Sequence, residues 1–126
     1  MLIEVAYIPH AGWPTRRTDV QNLAFRVTLD ETSTVLHMGD ADPRLVHFQA
    51  DQDYWEERVV DLALPPYWFF SSDDGVEILD NRLTVINSIG IHVPAEFSNA
   101  SNIPGELATN DLFTHPGEGR RFIGTQ

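Results

Sequence analysis

The chain has 126 residues, 42% of them hydrophobic, and nineteen acidic residues against eight basic ones give a formal charge of −11. This length predicts a single domain or half-domain over residues 1–126, and the negative charge argues against nucleic-acid or membrane binding through a basic patch. Because the chain has no cysteine, a disulfide framework and a thiolate site are excluded, so any metal must be held by histidine and carboxylate.

The first third of the chain predicts three strands. Residues 2–9 carry apolar side chains on both faces of a strand, which predicts burial on both sides. Residues 10–19 lack a period and predict a loop. Residues 22–29 alternate between apolar and smaller or polar side chains, and a turn at residues 30–32 leads to a strand at residues 34–38. These two strands predict a hairpin.

The middle of the chain predicts a helix and then a strand. Asp42 and Pro43 suit the N-cap and the first position of a helix that continues, with a break, to Glu57. A short apolar strand follows over residues 59–64 and ends at two prolines.

A second helix and a last strand come next. Ser71 or Ser72 suits the N-cap of a helix that ends near Arg82, and residues 83–91 predict a strand. This alternation predicts a mixed α/β (α+β) fold with a partly parallel sheet.

The end of the chain predicts irregular structure. Residues 95–126 are rich in serine, asparagine and proline, with one edge strand expected at residues 121–123. No stretch approaches the roughly 20 apolar residues of a membrane span, and the first residues lack the features of a signal peptide. We therefore expect a cytoplasmic protein.

Three metal-competent side chains follow the apolar strands. His10, Asp40 and His92 each stand just beyond a predicted strand, and loops at one edge of a sheet bring such distant residues together. Two histidines and a carboxylate are a common partial ligand set for zinc, iron or manganese, and a metal so held acidifies bound water. The alternative is structural: two hydrogen-bonded loop histidines and an aspartate that caps a turn.

Three segments taken together resemble the C-terminal half of the metallo-β-lactamase-fold hydrolases. They are Val35–Asp42, in which Gly39-Asp40 follows a strand; Val60–Trp68, with Asp61 in a strand; and Ile89–Pro94, in which a late strand ends in His92. Tyr7–His10 with Asp19–Leu23 looks like the preceding segment of that family. The resemblance covers nearly the whole chain up to Pro94 and implies an αββα sandwich, of which this chain supplies one mixed sheet and its outer helices.

The resemblance also implies a two-metal site. His10 would bind the first metal, Asp40 would bridge both metals, and His92 would bind the second. Asp61 looks like the carboxylate that orients a ligand histidine in this family, and His37 like a neighbour of the site that is not a ligand. Zinc is the expected metal, with manganese or iron as alternatives.

The hallmark His-x-His-x-Asp-His motif of the family is absent from this chain. Each metal would therefore have two protein ligands, whereas zinc normally has three or four. We expect a metal-dependent hydrolase of an ester, phosphoester, lactone or amide, present as a C-terminal portion that binds metal weakly or not at all alone and is inactive in isolation. The alternative is a non-catalytic binding or assembly domain on the same scaffold.

The remaining expectations concern substrate and partners. Trp13, Tyr67 and Trp68 stand at strand ends and are candidates for the wall of a small-molecule substrate cleft, although an aromatic side chain in this position more often belongs to the core. Half of a two-sheet sandwich exposes an apolar face, which predicts self-association or a complementary chain.

Overall fold

Five strands form one mixed sheet, in which they lie in the order of the chain. The computed structural model describes residues 1–12 and 21–122. Its strands are β1 (Leu2–Tyr7), β2 (Leu23–Leu29), β3 (Ser33–His37), β4 (Val60–Leu64) and β5 (Val85–Ser88). β2 pairs antiparallel with β1 and β3, whereas β4 pairs parallel with β3 and β5. The mixed α/β fold and its partly parallel sheet are therefore confirmed.

The turn between β2 and β3 has the backbone conformation of a tight hairpin. Asp30 and Glu31 both have positive φ angles, of 48° and 65°. Two consecutive residues in this conformation match the right-handed twist of the flanking strands, because they make a primed turn. The predicted hairpin is confirmed.

Short helical segments cover one face of the sheet. They are α1 (Val46–Gln49), α2 (Gln52–Glu56) and α3 (Asp73–Glu77), and a π-helical turn over Ile78–Arg82 continues α3. The hydroxyl of Ser72 caps α3 by accepting a hydrogen bond from the amide of Gly75. Of the two serines considered from the sequence, Ser72 is therefore the N-cap.

Asp42 does not cap a helix, contrary to the prediction. α1 begins only at Val46 and has no side-chain cap. The Asp42 carboxylate is instead buried, and its Oδ2 lies 2.7 Å from Nε2 of His47. A buried carboxylate needs a close polar partner, and His47, which lies in α1 five residues further along the chain, provides it.

The main apolar core lies between the sheet and the helical segments. Its buried side chains include Ala24, Leu36, Ala63, Phe48, Trp55, Phe69, Ile78 and Leu83. The ring of Phe48 packs edge-on against Phe69 and lies 5.2 Å from Trp55 between centroids. These contacts hold α1 against α2 and against the 3₁₀ turn over Tyr67–Ser71.

A second, smaller apolar cluster lies in the C-terminal part. Phe97, Leu107 and Leu112 are its buried members, and the segment contains 3₁₀ turns at Ala95–Ser98, Ala100–Asn102 and Gly105–Leu107. Arg121 and Phe122 are not in a strand, contrary to the predicted edge strand, and position 123 lies outside the described residues. Across the described ranges, none of the helices is long and apolar enough to cross a bilayer.

Arg26 is buried at the centre of β2 and ties the sheet to α2. Its Nε and Nη2 donate to the two carboxylate oxygens of Glu4 on β1, each at 2.9 Å. Its Nη1 donates to the carbonyl of Tyr54 at 2.8 Å, and Nη2 also donates to Glu57 at 3.0 Å. The hydrogen bond from Arg26 is the main cause that lowers the pKa of Glu4.

Among the described residues, the opposite face of the sheet is bare over β1 and β2, whereas Val60 of β4, which shares that face, is buried. Ile3, Val5 and Tyr7 of β1 are 55%, 54% and 60% exposed, and they are paired with Val27, Phe25 and Leu23 of β2. The prediction that β1 is buried on both sides is therefore wrong for the described chain. β1 and β2 form an antiparallel pair, and antiparallel strands can leave one face open to solvent.

Candidate metal centre

The predicted ligands meet at one edge of the sheet because of the strand directions. β1, β3, β4 and β5 all run the same way, so their carboxyl ends share that edge. The loops beyond them are bound to one another: the Ala11 amide donates to the Asp40 carbonyl at 2.8 Å, and the Tyr67 amide donates to the Ile91 carbonyl at 2.9 Å. These loops therefore extend the sheet beyond the ends of its strands.

His10, Asp40 and His92 lie in direct contact and form what we call the bridging cluster. One carboxylate oxygen of Asp40, Oδ2, lies 3.2 Å from Nε2 of His10, and the other, Oδ1, lies 3.1 Å from Nε2 of His92. The carboxylate thus stands between two imidazole nitrogens, one on each of its oxygens. The structure brings together all three residues that the sequence singled out as ligands.

The ring of His10 is oriented by a backbone carbonyl. Its Nδ1 lies 2.6 Å from the carbonyl oxygen of Ala11, which only accepts hydrogen bonds, so Nδ1 carries the proton. In the neutral ring, Nε2 then presents its lone pair to Oδ2 of Asp40. This orientation is typical of metal-ligating histidines.

The backbone of His92 is strained, and its ring is held by a neighbouring aromatic side chain. Its φ angle is 59°, a left-handed conformation that costs a residue of this size about 1 kcal/mol. The imidazole stacks on the indole of Trp68, with planes 19° apart, and the indole nitrogen donates to the Ala41 carbonyl at 2.9 Å. Trp68 therefore links the loop that carries His92 to the loop that carries Asp40.

Asn22 fixes the Asp40 loop, although no local sequence pattern marks it for this role. Its side chain is buried; its amide nitrogen donates to the Met38 carbonyl at 3.1 Å, and its oxygen accepts from the Asp40 amide at 2.8 Å. Both partners are distant in sequence and become neighbours only when β2 pairs with β3. Asn22 is therefore a positioning residue that tertiary structure alone reveals.

His37 lies beside the bridging cluster. Its Nδ1 accepts a hydrogen bond from the Gly39 amide at 3.1 Å, so the other ring nitrogen carries the proton of the neutral ring. Partial desolvation lowers its pKa, the nearby His92 lowers it further, and Asp40 acts in the opposite direction. This placement agrees with a neighbour of the site that is not a ligand.

Asp61 lies elsewhere. It is the second residue of β4, at the end of the strand remote from the bridging cluster, and its carboxylate accepts a hydrogen bond from the Thr34 amide at 2.8 Å. The structure does not bring it to the edge where His10 and His92 lie. Asp19, which the resemblance included, lies outside the described residues.

A cleft of about 520 Å³ opens beside His10. Its lining consists of His10, Ala11, Gly12, Asp42, Pro43, Arg44 and Trp68. Trp68 thus lies in the wall of a cleft, as expected of a substrate-binding aromatic side chain. Tyr67 packs edge-on against Phe97 in the second apolar cluster, and Trp13 lies outside the described residues.

The bridging cluster offers few donor atoms for a metal ion. Within residues 1–12 and 21–122, no group of three or more histidine, aspartate or glutamate side chains could hold a metal ion. The bridging cluster instead offers one imidazole nitrogen and one carboxylate oxygen on each side of Asp40. These are donor types that zinc accepts, with further ligands needed to complete each site.

Comparison with protein-family models, with curated proteins and with solved structures gives no match. A functional conclusion therefore depends on the geometry of the bridging cluster and of the sheet that carries it.

Proposed function

We propose that this chain is the C-terminal portion of a metallo-β-lactamase-fold hydrolase and that the bridging cluster is its share of a dinuclear zinc site. The observation that carries the proposal is the position of Asp40, whose two carboxylate oxygens each face the Nε2 atom of a different histidine. A carboxylate between two imidazoles is the arrangement expected of a residue that bridges two ions. In this assignment His10 and His92 each bind one of the two ions.

The sheet supports the same conclusion. Parallel strands with catalytic side chains beyond their carboxyl ends are a common basis for active sites. The bare apolar face, with Val5, Phe25 and Tyr7 exposed, is what one sheet of a two-sheet sandwich presents without its partner layer. The αββα sandwich is therefore the architecture that we propose for the intact protein.

The residues in and around the bridging cluster would have different roles in such a site. Divalent ions bound there would activate water and stabilise negative charge during hydrolysis of an ester, phosphoester, lactone or amide. The Ala11 carbonyl fixes the ring orientation of His10, and Trp68 fixes that of His92. Because each ion has two protein ligands here, we expect weak metal binding and no hydrolysis by the chain alone.

Zinc titration followed by calorimetry tests the proposal. The unaltered chain should take up zinc, and His10→Gln and His92→Asn should each reduce the affinity by about tenfold or more, because each removes one of two ligands. Asn suits position 92 because it tolerates the left-handed backbone. His115→Gln is the control, since His115 pairs with Glu118 in the C-terminal part. Equal zinc affinity in all four proteins would contradict the proposal.

A second candidate function, favoured by the bare sheet face, is a non-catalytic assembly module that binds a second copy of itself. The face is self-complementary in composition: its side chains include Ile3, Val5, Tyr7, Leu23, Phe25, Val27, Leu29 and Val35. None of these is charged, so the charge of −11 lies away from the contact. Two such sheets would stack face to face about 10 Å apart.

The size of the face limits the strength of this dimer. Three strands about 4.8 Å apart and about five residues long present a flat face of roughly 240 Å². A standard interface buries about 800 Å² on each partner. The contact would therefore be weak and concentration-dependent, and chains that dimerise through this face without binding zinc would favour assembly over hydrolysis.

A further inference from the structure

The cleft beside the bridging cluster has a cationic wall in a strongly acidic protein. Arg44 lines it, and its side chain is 49% exposed. Its ion pair uses Nε, which lies 3.5 Å from Oδ2 of Asp42. Among the described residues, no hydrogen bond or ion pair engages the terminal nitrogens of this guanidinium. Two planar donor groups are therefore available to a ligand.

The neighbouring carboxylate does not cancel this charge for a ligand. The Asp42 side chain is 5% exposed, and its Oδ2 makes its shortest contact, of 2.7 Å, with Nε2 of His47. Asp42 also lines the cleft, but its side chain is far less exposed than that of Arg44. An anion that enters the cleft meets the guanidinium before it meets the carboxylate.

Apart from Arg44, His10 and Asp42, the lining is apolar or backbone. Pro43, Ala11 and the indole of Trp68 form most of the wall. The indole is held rigidly, because its nitrogen donates to the Ala41 carbonyl and its ring stacks on His92. A flat apolar group can lie against this surface without displacing a protein contact.

We propose that this cleft binds the substrate of the bridging cluster and that it selects organic anions, with the apolar body on Trp68 and Pro43 and the anionic group on Arg44. His10 lines the same cleft, so a ligand held in this way lies next to the cluster. Arg44 is a specificity-determining residue in this assignment. That the bound organic anion is a substrate rests on the proposed function, whereas the binding of an organic anion to the cleft does not.

A site-resolved binding experiment tests this without metal. The indole N–H resonance of Trp68, assigned with Trp68→Phe, is followed during titration with naphthylacetate and with its neutral analogue naphthylacetamide. Naphthylacetate should shift this resonance saturably and bind about tenfold more tightly than the amide, as expected for a charge-assisted pair with arginine. Arg44→Gln should remove this preference and Arg44→Lys should keep part of it, while Arg121→Gln should have no effect.

The outcomes separate the cleft from the metal centre. Equal binding of acid and amide, or an unchanged preference in Arg44→Gln, would overturn the cleft assignment. An unshifted Trp55 resonance in the Arg44 variants checks that they are folded. A chain that prefers naphthylacetate but takes up no zinc would support the cleft and contradict the dinuclear site; zinc uptake without the preference would do the reverse.

Discussion

Gly39 lies so close to Asn22 that a Cβ atom on the glycine would stand 2.5 Å from Oδ1 of the asparagine. Gly39 also has a φ angle of 59°, which side-chain-bearing residues adopt at a cost. The backbone can pass over Asn22 and place Asp40 between the two histidines because position 39 has no side chain. The geometry of the bridging cluster therefore depends on a glycine that is not part of it.

Gly39→Ala should destabilise the fold by about 2 kcal/mol, through backbone strain and overlap with Asn22. Urea unfolding of the variant measures this. Gly105→Ala is the matched control, because nothing lies within 4 Å of its added Cβ. A Gly39→Ala protein as stable as the control would show that the loop relaxes freely.

Asn22→Ala should cost about 2 kcal/mol, because the Met38 carbonyl and the Asp40 amide lose their partner. Zinc affinity should fall with it, since the Asp40 loop is no longer fixed. Asn81→Ala, at an exposed position, is the control. Combined with Gly39→Ala, the Asn22 substitution should give a loss smaller than the sum, because it removes the overlap. Full additivity of the two losses would contradict the close contact between Gly39 and Asn22.

The Glu4–Arg26 pair should make stability pH-dependent. Because the folded pKa of Glu4 is below its ordinary 4.5, the folded chain binds this proton less readily than the unfolded chain does. The contribution is complete above about pH 4.5 and is lost as the pH falls through the lowered pKa. Unfolding measured across this range should show a smaller acid loss for Glu4→Gln, which should cost about 1 kcal/mol at neutral pH. Glu106→Gln should behave like the unaltered chain.

The bare sheet face should drive weak self-association. Sedimentation equilibrium should show a dimer that dissociates on dilution, and Val5→Lys or Phe25→Lys should abolish it by placing charge in the apolar contact. Ile86→Lys is the matched control, because Ile86 is equally exposed but lies on β5, at the other edge of the sheet. The assembly function would lose its support if the unaltered chain were monomeric at every concentration. It would also lose its support if Ile86→Lys disrupted the dimer as much as Val5→Lys does.

The strand ends that carry His10, Asp40 and His92 could be predicted from sequence, because each apolar run stops just before them. Because the strands before them run in the same direction, these three residues lie at the same end of the sheet. The alternation in β2 also predicts two faces, but not which one is covered. The structure buries Ala24, Arg26 and Thr28 and leaves the larger apolar side chains outside, because Arg26 finds carboxylates on β1 and after α2.

The supports of the candidate site could not be predicted in the same way. Asp42 has the sequence context of an N-cap, yet α1 begins only at Val46 and the Asp42 carboxylate is buried against His47. Asn22 carries no motif, and its partners are set by strand register. Polar side chains that act across the fold have no periodic signature, so the ligands of the site are easier to predict than the residues that position them.

Anomalous scattering from crystals of the chain soaked in zinc is the sharpest test of the dinuclear site. We expect two zinc peaks, one on each side of the Asp40 carboxylate, with the first beside Nε2 of His10 and the second beside Nε2 of His92. Asp40→Asn, soaked in parallel, should lose at least one of them, because an amide is a poor bridge between two cations. Zinc bound only at other acidic side chains, with the Asp40 carboxylate still in direct contact with both histidines, would contradict the dinuclear site.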